Sequence, residues 1–541
     1  MQTLTTNIRT GHNQSTLALF LLVIGAGLAV LPLRWAGVAL AGSIAGCLIL
    51  VRPRLGFYLL IPLIPFSSLF EFSLGGVSIG AMESLLGLTL VAWLMRMSAR
   101  GRISFPHPPL LWPFMGFLGF IGLSWLVTFS AGASLKETLK WLEMLALYLF
   151  VVANVPRREI PLVIAVILLA GLAQATLGLY QFVFKAGPPG FLLFGGRFLR
   201  AFGTFRQPNP YGGYLGLVLP LALSLTIWRL DASRGDWGLG IGRFAWRSLS
   251  DSPDLQSPIP NTQYPIPNTQ SLIPNFPIAT RPFIAFIALL TPLGLLLAAL
   301  FASQSRGAWL GFVVAASVTI AARSAKAALS LALMGLLGGI LVSLGALELL
   351  PATLVQRFSA AFSVPLVGAE GLARLQVTNA NFATVERLAH WLAAIEMWRD
   401  HLWLGVGFGN YAAIYPAYAI GRWLDPLGHA HNYLLNIGAE AGLLGLTGYL
   451  GFWLWVMALA WRAVRRSRQR GEGLHFALAA GILGVFAHLH THNLFDNLYV
   501  QGMYLHIAII LGLLTLIDQP LTLPTKGIQL QCLMRWSQNT T

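Results

Sequence analysis

Long apolar runs, separated by short segments in which arginine, proline and glycine concentrate, form the pattern of this chain from end to end. A helix needs about 20 mostly apolar residues to cross a hydrocarbon core of about 30 Å. By that measure the runs predict about 14 spans. They lie near residues 15–33, 35–51, 55–70, 80–96, 110–130, 136–153, 159–183, 209–229, 282–303, 307–322, 326–347, 431–461, 475–494 and 498–517. Several are short, so the expected fold is all-α, a polytopic integral membrane protein of about 12–14 transmembrane helices with a helical outer loop subdomain. The first run is followed at once by a second and has no evident small-residue cleavage site, so it reads as an anchor and not as a cleaved leader.

The runs divide the chain into N-terminal membrane helices (1–183), a membrane core (184–347), an outer subdomain (348–430), C-terminal membrane helices (431–517) and a cytoplasmic tail (518–541). The core is interrupted at 230–281 by a Pro-rich insert in which SPIPNTQ is followed by YPIPNTQ. Such a composition cannot bury apolar surface, and disorder is expected. In the outer subdomain, ERLAHWLAAIEMWRDH places Leu388, Trp391, Leu392, Ile395 and Trp398 at helical spacing, which predicts an amphipathic helix.

Composition sharpens the class. Of 541 residues, 56% are hydrophobic and 10% charged, against about 25% charged in soluble domains, which excludes a water-soluble globule. The net charge of +16 would suggest nucleic acid in a soluble chain. Here the basic residues punctuate apolar runs, and no nucleic-acid partner is expected. They set orientation instead. With the N-terminus inside, the inner loops collect Arg52 and Arg54, Arg96, Arg100 and Arg102, Arg157 and Arg158, and Arg462 through Arg470. The N-terminus is thus expected to be cytoplasmic. Two outer segments, 184–208 and 348–430, keep basic residues against this rule. The two cysteines, Cys47 and Cys532, build neither a disulfide framework nor a metal-ligand spacing.

Four constellations could carry chemistry. In the first, Arg200 precedes and Arg206 lies within GTFRQPNPYGG before the eighth span, where Asn209 as cap and Pro210 in the first turn open a helix. A helix start with two arginines favours anions; the plainer reading is a capped helix entry. In the second, Arg306 occupies a very short outer turn. It either snorkels or presents a fixed guanidinium fork suited to phosphate oxygens. The third is HAHNYLLNIGAEAGLLGLTGYLG. A helix from His431 to Trp461 would be about 45 Å long, with Asn432, Asn436 and Glu440 on one stripe and His431 at its positive end, where neutral imidazole is favoured. The fourth is HLHTHNLFDN, with Asp496 a possible second carboxylate. Alternate helix positions diverge by about 200°, so His488, His490 and His492 are not expected to share a metal ion.

Together these segments resemble the O-antigen ligase and polymerase superfamily. His431-Asn432, nine residues, Gly442, two residues and Gly445 is similar to that family's HN-x9-G-x2-G motif; Arg306 with Leu310 resembles its R-x3-L; Arg200 ahead of GTFRQPNPYGG resembles the arginine before its G-T-F-x-x-P-N segment. The stretch from Arg387 through GVGFGNY is similar to its outer loop. The likeness covers roughly 195–500, and the chain also resembles the cyanobacterial IctB-type branch, once proposed as inorganic-carbon transporters. The superfamily resemblance implies a metal-independent, inverting glycosyltransferase without cofactor, at the periplasmic face of a bacterial inner (plasma) or thylakoid membrane. Its donor would be an undecaprenyl-diphosphate-linked glycan and its acceptor a glycan, lipid or protein. Arg200, Arg306 and His431 would be catalytic, and Arg206, Asn209, Arg387, Asn432, Glu440 and Asp496 would bind substrate. The IctB branch would imply bicarbonate or other solute transport instead.

Overall fold

A computed structural model describes residues 33–74, 77–101, 104–193, 196–234, 281–343, 368–378 and 381–519. The first expected span, the repeat in the Pro-rich insert, the start of the outer subdomain and nearly all of the tail lie outside the described residues. The rest is helical. In chain order come α1 (Leu33–Val51), α2 (Pro53–Phe66), α3 (Ala81–Ala99), α4 (Leu111–Ser124), α5 (Ala131–Asn154), α6 (Ile160–Phe184), α7 (Pro208–Arg234), α8 (Arg281–Ala302), α9 (Arg306–Ala321), α10 (Ala325–Ser343), α11 (Ala369–Arg374), α12 (Phe382–Asp400), α13 (Tyr411–Ile414), α14 (Tyr433–Gln469), α15 (Gly473–Asn493) and α16 (Met503–Asp518). Strands are confined to two short antiparallel pairs among the described residues, β1 (Glu71–Leu74) with β2 (Val77–Gly80) and β3 (Leu192–Leu193) with β4 (Phe198–Leu199).

This is a polytopic helical membrane protein. Among the described residues, four helical stretches are long and apolar enough to cross a membrane: Arg157–Phe184, Pro208–Asp231, Tyr433–Gln469 and Gly473–Asn493. Shorter apolar helices account for other expected spans. Large apolar side chains turn outward, as on α10, where Met334 is 68% and Leu336 63% exposed. Such a surface belongs in lipid, where it costs nothing, and not in water.

The chain forms two compact units. Among the described residues, one takes those up to Ala170, those from 368 to Ala463 and those from Tyr499 on, and the other those from Gly171 to 343 and Val464–Leu498. In the first unit α16 packs on α5 and α2 on α3. Tyr148 Oη lies 3.0 Å from Thr515 Oγ1, and Gly512 admits the Val151 side chain. Aromatic rings fill the core: Trp141 lies 4.7 Å from Phe117 and 4.9 Å from Tyr499, which is 4.5 Å from Tyr433.

The expected straight helix from His431 to Trp461 is corrected in this unit. The helix starts at Tyr433, and Gly442 breaks it with φ 65° and ψ −164°. A left-handed glycine there opens the hydrogen-bond ladder, and the loop before the helix takes up the freed groups. Val406 N–H donates to Ala439 O (2.9 Å), and Leu443 N–H donates to Leu402 O (2.8 Å). A Cβ at Gly442 would strike the Trp403 backbone.

In the second unit α7, α9 and α15 pack tightly together, with α8 on α7 and α10 on α9. Glycines allow this. The buried His488 imidazole is wedged where a Cβ on Gly216 of α7 would collide with it, and a Cβ on Gly311 of α9 would come within 2.7 Å. Gly484 of α15 lies against Thr319 and Pro220 in the same way. At one end of this bundle Arg323 pairs with Asp231 and receives Arg468 on its carbonyl (3.4 Å). Gly216→Ala is therefore expected to destabilise the protein by about 1–3 kcal/mol through overpacking. Gly294→Ala, which meets nothing within 4 Å, is expected to be neutral or to stabilise by about 1 kcal/mol. Thermal unfolding in detergent, followed by size-exclusion chromatography, checks this; the opposite ranking would disprove the packing.

Candidate functional site

In the second unit, the end opposite the Arg323–Asp231 pair is where α7 begins, α8 ends, α9 begins and α15 ends. Arg200 lies in the loop that leads into α7. Its Nε donates to Ser303 O (3.2 Å) and its Nη2 to Asn209 Oδ1 (2.8 Å), so the guanidinium joins the α8–α9 turn to the first turn of α7. The helix starts at Pro208, two residues earlier than a cap at Asn209 implies. Asn209 is thus inside the first turn and is not the cap; it spends its carbonyl oxygen on Arg200.

The α8–α9 turn is equally constrained. Ser303 Oγ donates to Leu300 O (2.6 Å) and accepts from Ser305 N–H (3.2 Å). Gln304 has φ 52°, a left-handed conformation that costs a non-glycine residue about 1 kcal/mol or more. Trp309 is held by its ring N–H on Leu300 O (3.0 Å) and stacks on Phe301. Arg306, half-buried, is thereby fixed as the first residue of α9, three residues from the carbonyl that holds Arg200. Two cations and two helix N-termini, whose backbone N–H groups favour anions, are gathered on one turn. Arg206 is exposed on the loop before α7, while Asp496 is buried just after α15. His488 and His492 are buried one turn apart, ring centroids 5.5 Å apart.

Sequence reasoning missed what sets Arg200. Gln181 of α6 accepts from the N–H groups of Phe202 (3.1 Å) and Gly203 (2.7 Å) and donates to Gly203 O (2.7 Å). Gln174, two turns earlier on the same face, accepts from Thr204 N–H (3.1 Å) and donates to Thr204 Oγ1 (2.7 Å). Gly203 has φ 57°, so the GTF turn needs its glycine. The available signal was a pair of buried amides seven residues apart in an otherwise apolar run.

In the first unit, α12 carries the helix expected from its periodicity, but the buried stripe is shifted. Val385, Leu388, Ala389, His390, Ala393, Ala394 and Met397 are buried, whereas Leu392, Ile395 and Trp398 are half-buried. Small alanines let Tyr411 and Tyr415 approach closely, and that contact outweighs the larger side chains. GVGFGN at 405–410 threads between elements on three left-handed glycines, Gly405, Gly407 and Gly409. Asn410 anchors it, accepting from Ser130 N–H (2.7 Å) and donating to Ser134 Oγ (2.8 Å). Glu440, buried just before the Gly442 kink, accepts from Tyr411 N–H (3.0 Å). It therefore holds this loop.

His431 sits at the mouth of α14 with φ 53°, another left-handed position. Its N–H donates to His429 Nδ1 (3.0 Å), and its carbonyl accepts from the Trp391 ring N–H (3.3 Å). The helix cap is Asn432, whose Oδ1 accepts from Leu434 and Leu435 N–H (3.0 and 3.2 Å). Asn436 Oδ1 accepts from Ala430 N–H (3.0 Å). The His431 ring lies 4.5 Å from that of His429 and 5.5 Å from that of His390. His390 stacks on Tyr415 at 4.7 Å with its Nδ1 3.0 Å from Tyr411 Oη. Burial, and then His429 beside it, push its pKa down to about 4, with Asp425 opposing. Arg387 is half-buried on α12, one turn before His390.

Residues 291–450 match the family model described as O-antigen ligase. The match takes in Arg306, Arg387, His431, Asn432 and Glu440, and it supports the superfamily without singling out the IctB-type branch. No curated protein matches the chain.

His390 generates a pH prediction. Its folded-state pKa lies below the unfolded value of about 6.5, so on acidification the unfolded subdomain takes up a proton that the folded one refuses. Stability is complete above about pH 6.5 and declines towards pH 4. Hydrogen exchange in α12, corrected for intrinsic rate, is expected to accelerate between pH 7.5 and 4.5, and His390→Phe should flatten that dependence. An unchanged slope in the variant would disprove the assignment to His390.

Proposed function

We propose that the protein is a membrane glycosyltransferase that moves a glycan from an undecaprenyl-diphosphate carrier to an acceptor hydroxyl at the periplasmic face of a bacterial inner or thylakoid membrane, with its N-terminus in the cytoplasm. The observation that carries this reading is that Arg200, bonded to Asn209 in the first turn of α7, is also bonded to Ser303 on the turn 303–306 from which Arg306 opens α9. The O-antigen ligase match supports the reaction class.

The chemistry follows from charge. Departure of the glycan leaves a lipid diphosphate carrying an additional electron pair, and fixed guanidinium groups stabilise charge as it develops without first having to reorganise. Arg200 and Arg306 take this role in place of a divalent ion; Arg206 and Asn209 support it, one by charge and the other by fixing Arg200. His431 acts as general base. The acceptor O–H gives its proton to the imidazole, its oxygen bonds the anomeric carbon, and the bond from that carbon to the phosphate oxygen breaks with its electrons on the leaving diphosphate. Attack opposite the leaving group inverts the anomeric centre. Asn432 caps the helix behind the base, Glu440 helps orient the base through the loop it holds, Arg387 meets donor sugar or diphosphate, and Asp496 binds substrate. The left-handed backbone at His431 favours this role, since strain of that kind is retained where it holds a side chain in one pose.

The test uses liposomes containing the full chain and a crude pool of undecaprenyl-diphosphate glycans. Wild type is expected to transfer glycan and release lipid diphosphate. Arg306→Ala should lose about 10²–10³ in rate and His431→Ala about 10²–10⁴, with insertion unchanged. If no donor is consumed while wild type and both variants take up labelled bicarbonate, the chain is a transporter and this reading is wrong.

A further inference from the structure

The geometry points to an acceptor-sugar subsite on the subdomain that carries α12: an open cleft bounded by Phe382 and Leu424 on its apolar rim and by Glu386, Arg422 and Asp425 on its polar wall, taking an uncharged or amino-bearing pyranose ring. This rests on the transferase reading above for the word acceptor, but the cleft is defined by its own residues. Its volume is about 170 Å³, below the roughly 300–1,000 Å³ of a pocket that swallows a cofactor. It has room for one ring of a chain that continues into solvent.

A pyranose offers an apolar C–H face and a fringe of hydroxyl donors. Phe382 is 41% and Leu424 68% exposed, large apolar groups held open beside polar ones. Trp423 also lines the cleft, but at 8% exposed it serves mainly as its backing. The Phe382 ring packs on it at 5.0 Å, the Arg422 guanidinium at 5.7 Å, and Tyr415 Oη donates to its carbonyl (2.8 Å). Glu386 follows Phe382 by one helical turn, so ring face and carboxylate lie side by side on α12. Burial and Asp425 both raise the pKa of Glu386, and Arg387 opposes them, which places the two carboxylates within electrostatic reach. Carboxylates accept strongly from hydroxyls. Two carboxylates against the single Arg422 guanidinium leave the wall net negative, which disfavours a diphosphate or an acidic sugar, so this is not a donor-phosphate site.

The cleft ends at His390, whose ring lies 5.5 Å from that of His431. A ring seated between Phe382 and Asp425 therefore lies on the approach to the proposed base.

The experiment is saturation-transfer NMR on the full chain in nanodiscs, with methyl glycosides of glucose, galactose, mannose and glucosamine as probes and glucuronic acid as the anionic comparison. Saturation at ring protons of at least one uncharged or amino glycoside is expected, with none for glucuronic acid. Phe382→Ala and Asp425→Asn should each weaken binding about tenfold, the cost of one good polar or apolar contact. Both positions are exposed. Asp425 Oδ1 accepts from Leu427 N–H (3.1 Å), and the amide oxygen that the second substitution introduces can accept the same bond, so the fold is retained. Silence from all four glycosides, or signals indifferent to both substitutions, overturns the subsite. Arg306→Ala should bind glycosides as wild type does. If donor is never consumed yet binding depends on Phe382 and Asp425, the transferase reading falls and the sugar cleft stands. If both cleft variants transfer glycan with wild-type KM for acceptor, the cleft falls and the transferase stands.

Discussion

Hydrocarbon offers no hydrogen bonds, so every backbone group placed near it must find a partner within the protein. That constraint governs how this chain departs from regular helix. At Gly442 the ladder of α14 opens, and residues 402–406 repair it from outside through Val406 N–H and Leu402 O. The repair requires backbones to touch, which is why Gly405 and Gly442 lack Cβ atoms at the point of contact. The same requirement explains the grip on 409–411: Glu440 takes the Tyr411 N–H and the Asn410 side chain takes the Ser130 N–H, so side chains supply partners where the backbone is irregular.

Rigid irregular segments then become usable for chemistry. The turn 303–306 and the loop 200–207 are short and pinned by Ser303, Gln174 and Gln181. Long flexible arginines on such segments lose less entropy on binding an anion, because Asn209 and the Ser303 carbonyl already hold one of them. His431 is treated likewise. Its backbone is fixed through His429 and Trp391 before any substrate arrives. Preorganisation of this sort is what charge stabilisation and proton transfer both need.

Much was legible from residue order. Span lengths follow from hydropathy, and most helix ends fall within a few residues of expectation because the apolar runs stop at Arg, Pro and Gly. The residues of the site stood out because an arginine or histidine in an apolar chain has few neutral explanations. Asn209 and Glu440 were noticed for their chemistry, yet their contacts were not foreseen: one secures Arg200 where a cap was expected, the other secures a loop.

What residue order determined by itself was therefore the membrane class, the helices and the list of polar residues worth attention. All of these depend on local composition and on the free energy of moving a side chain out of water. What only the tertiary structure decided was partnership: the kink at Gly442, the alanine stripe of α12 turned towards Tyr411 and Tyr415, the glutamine clamp on Gly203 and the cleft beside His390. These depend on contacts between segments far apart in the chain, and a glycine or glutamine carries no mark of which distant backbone it will meet.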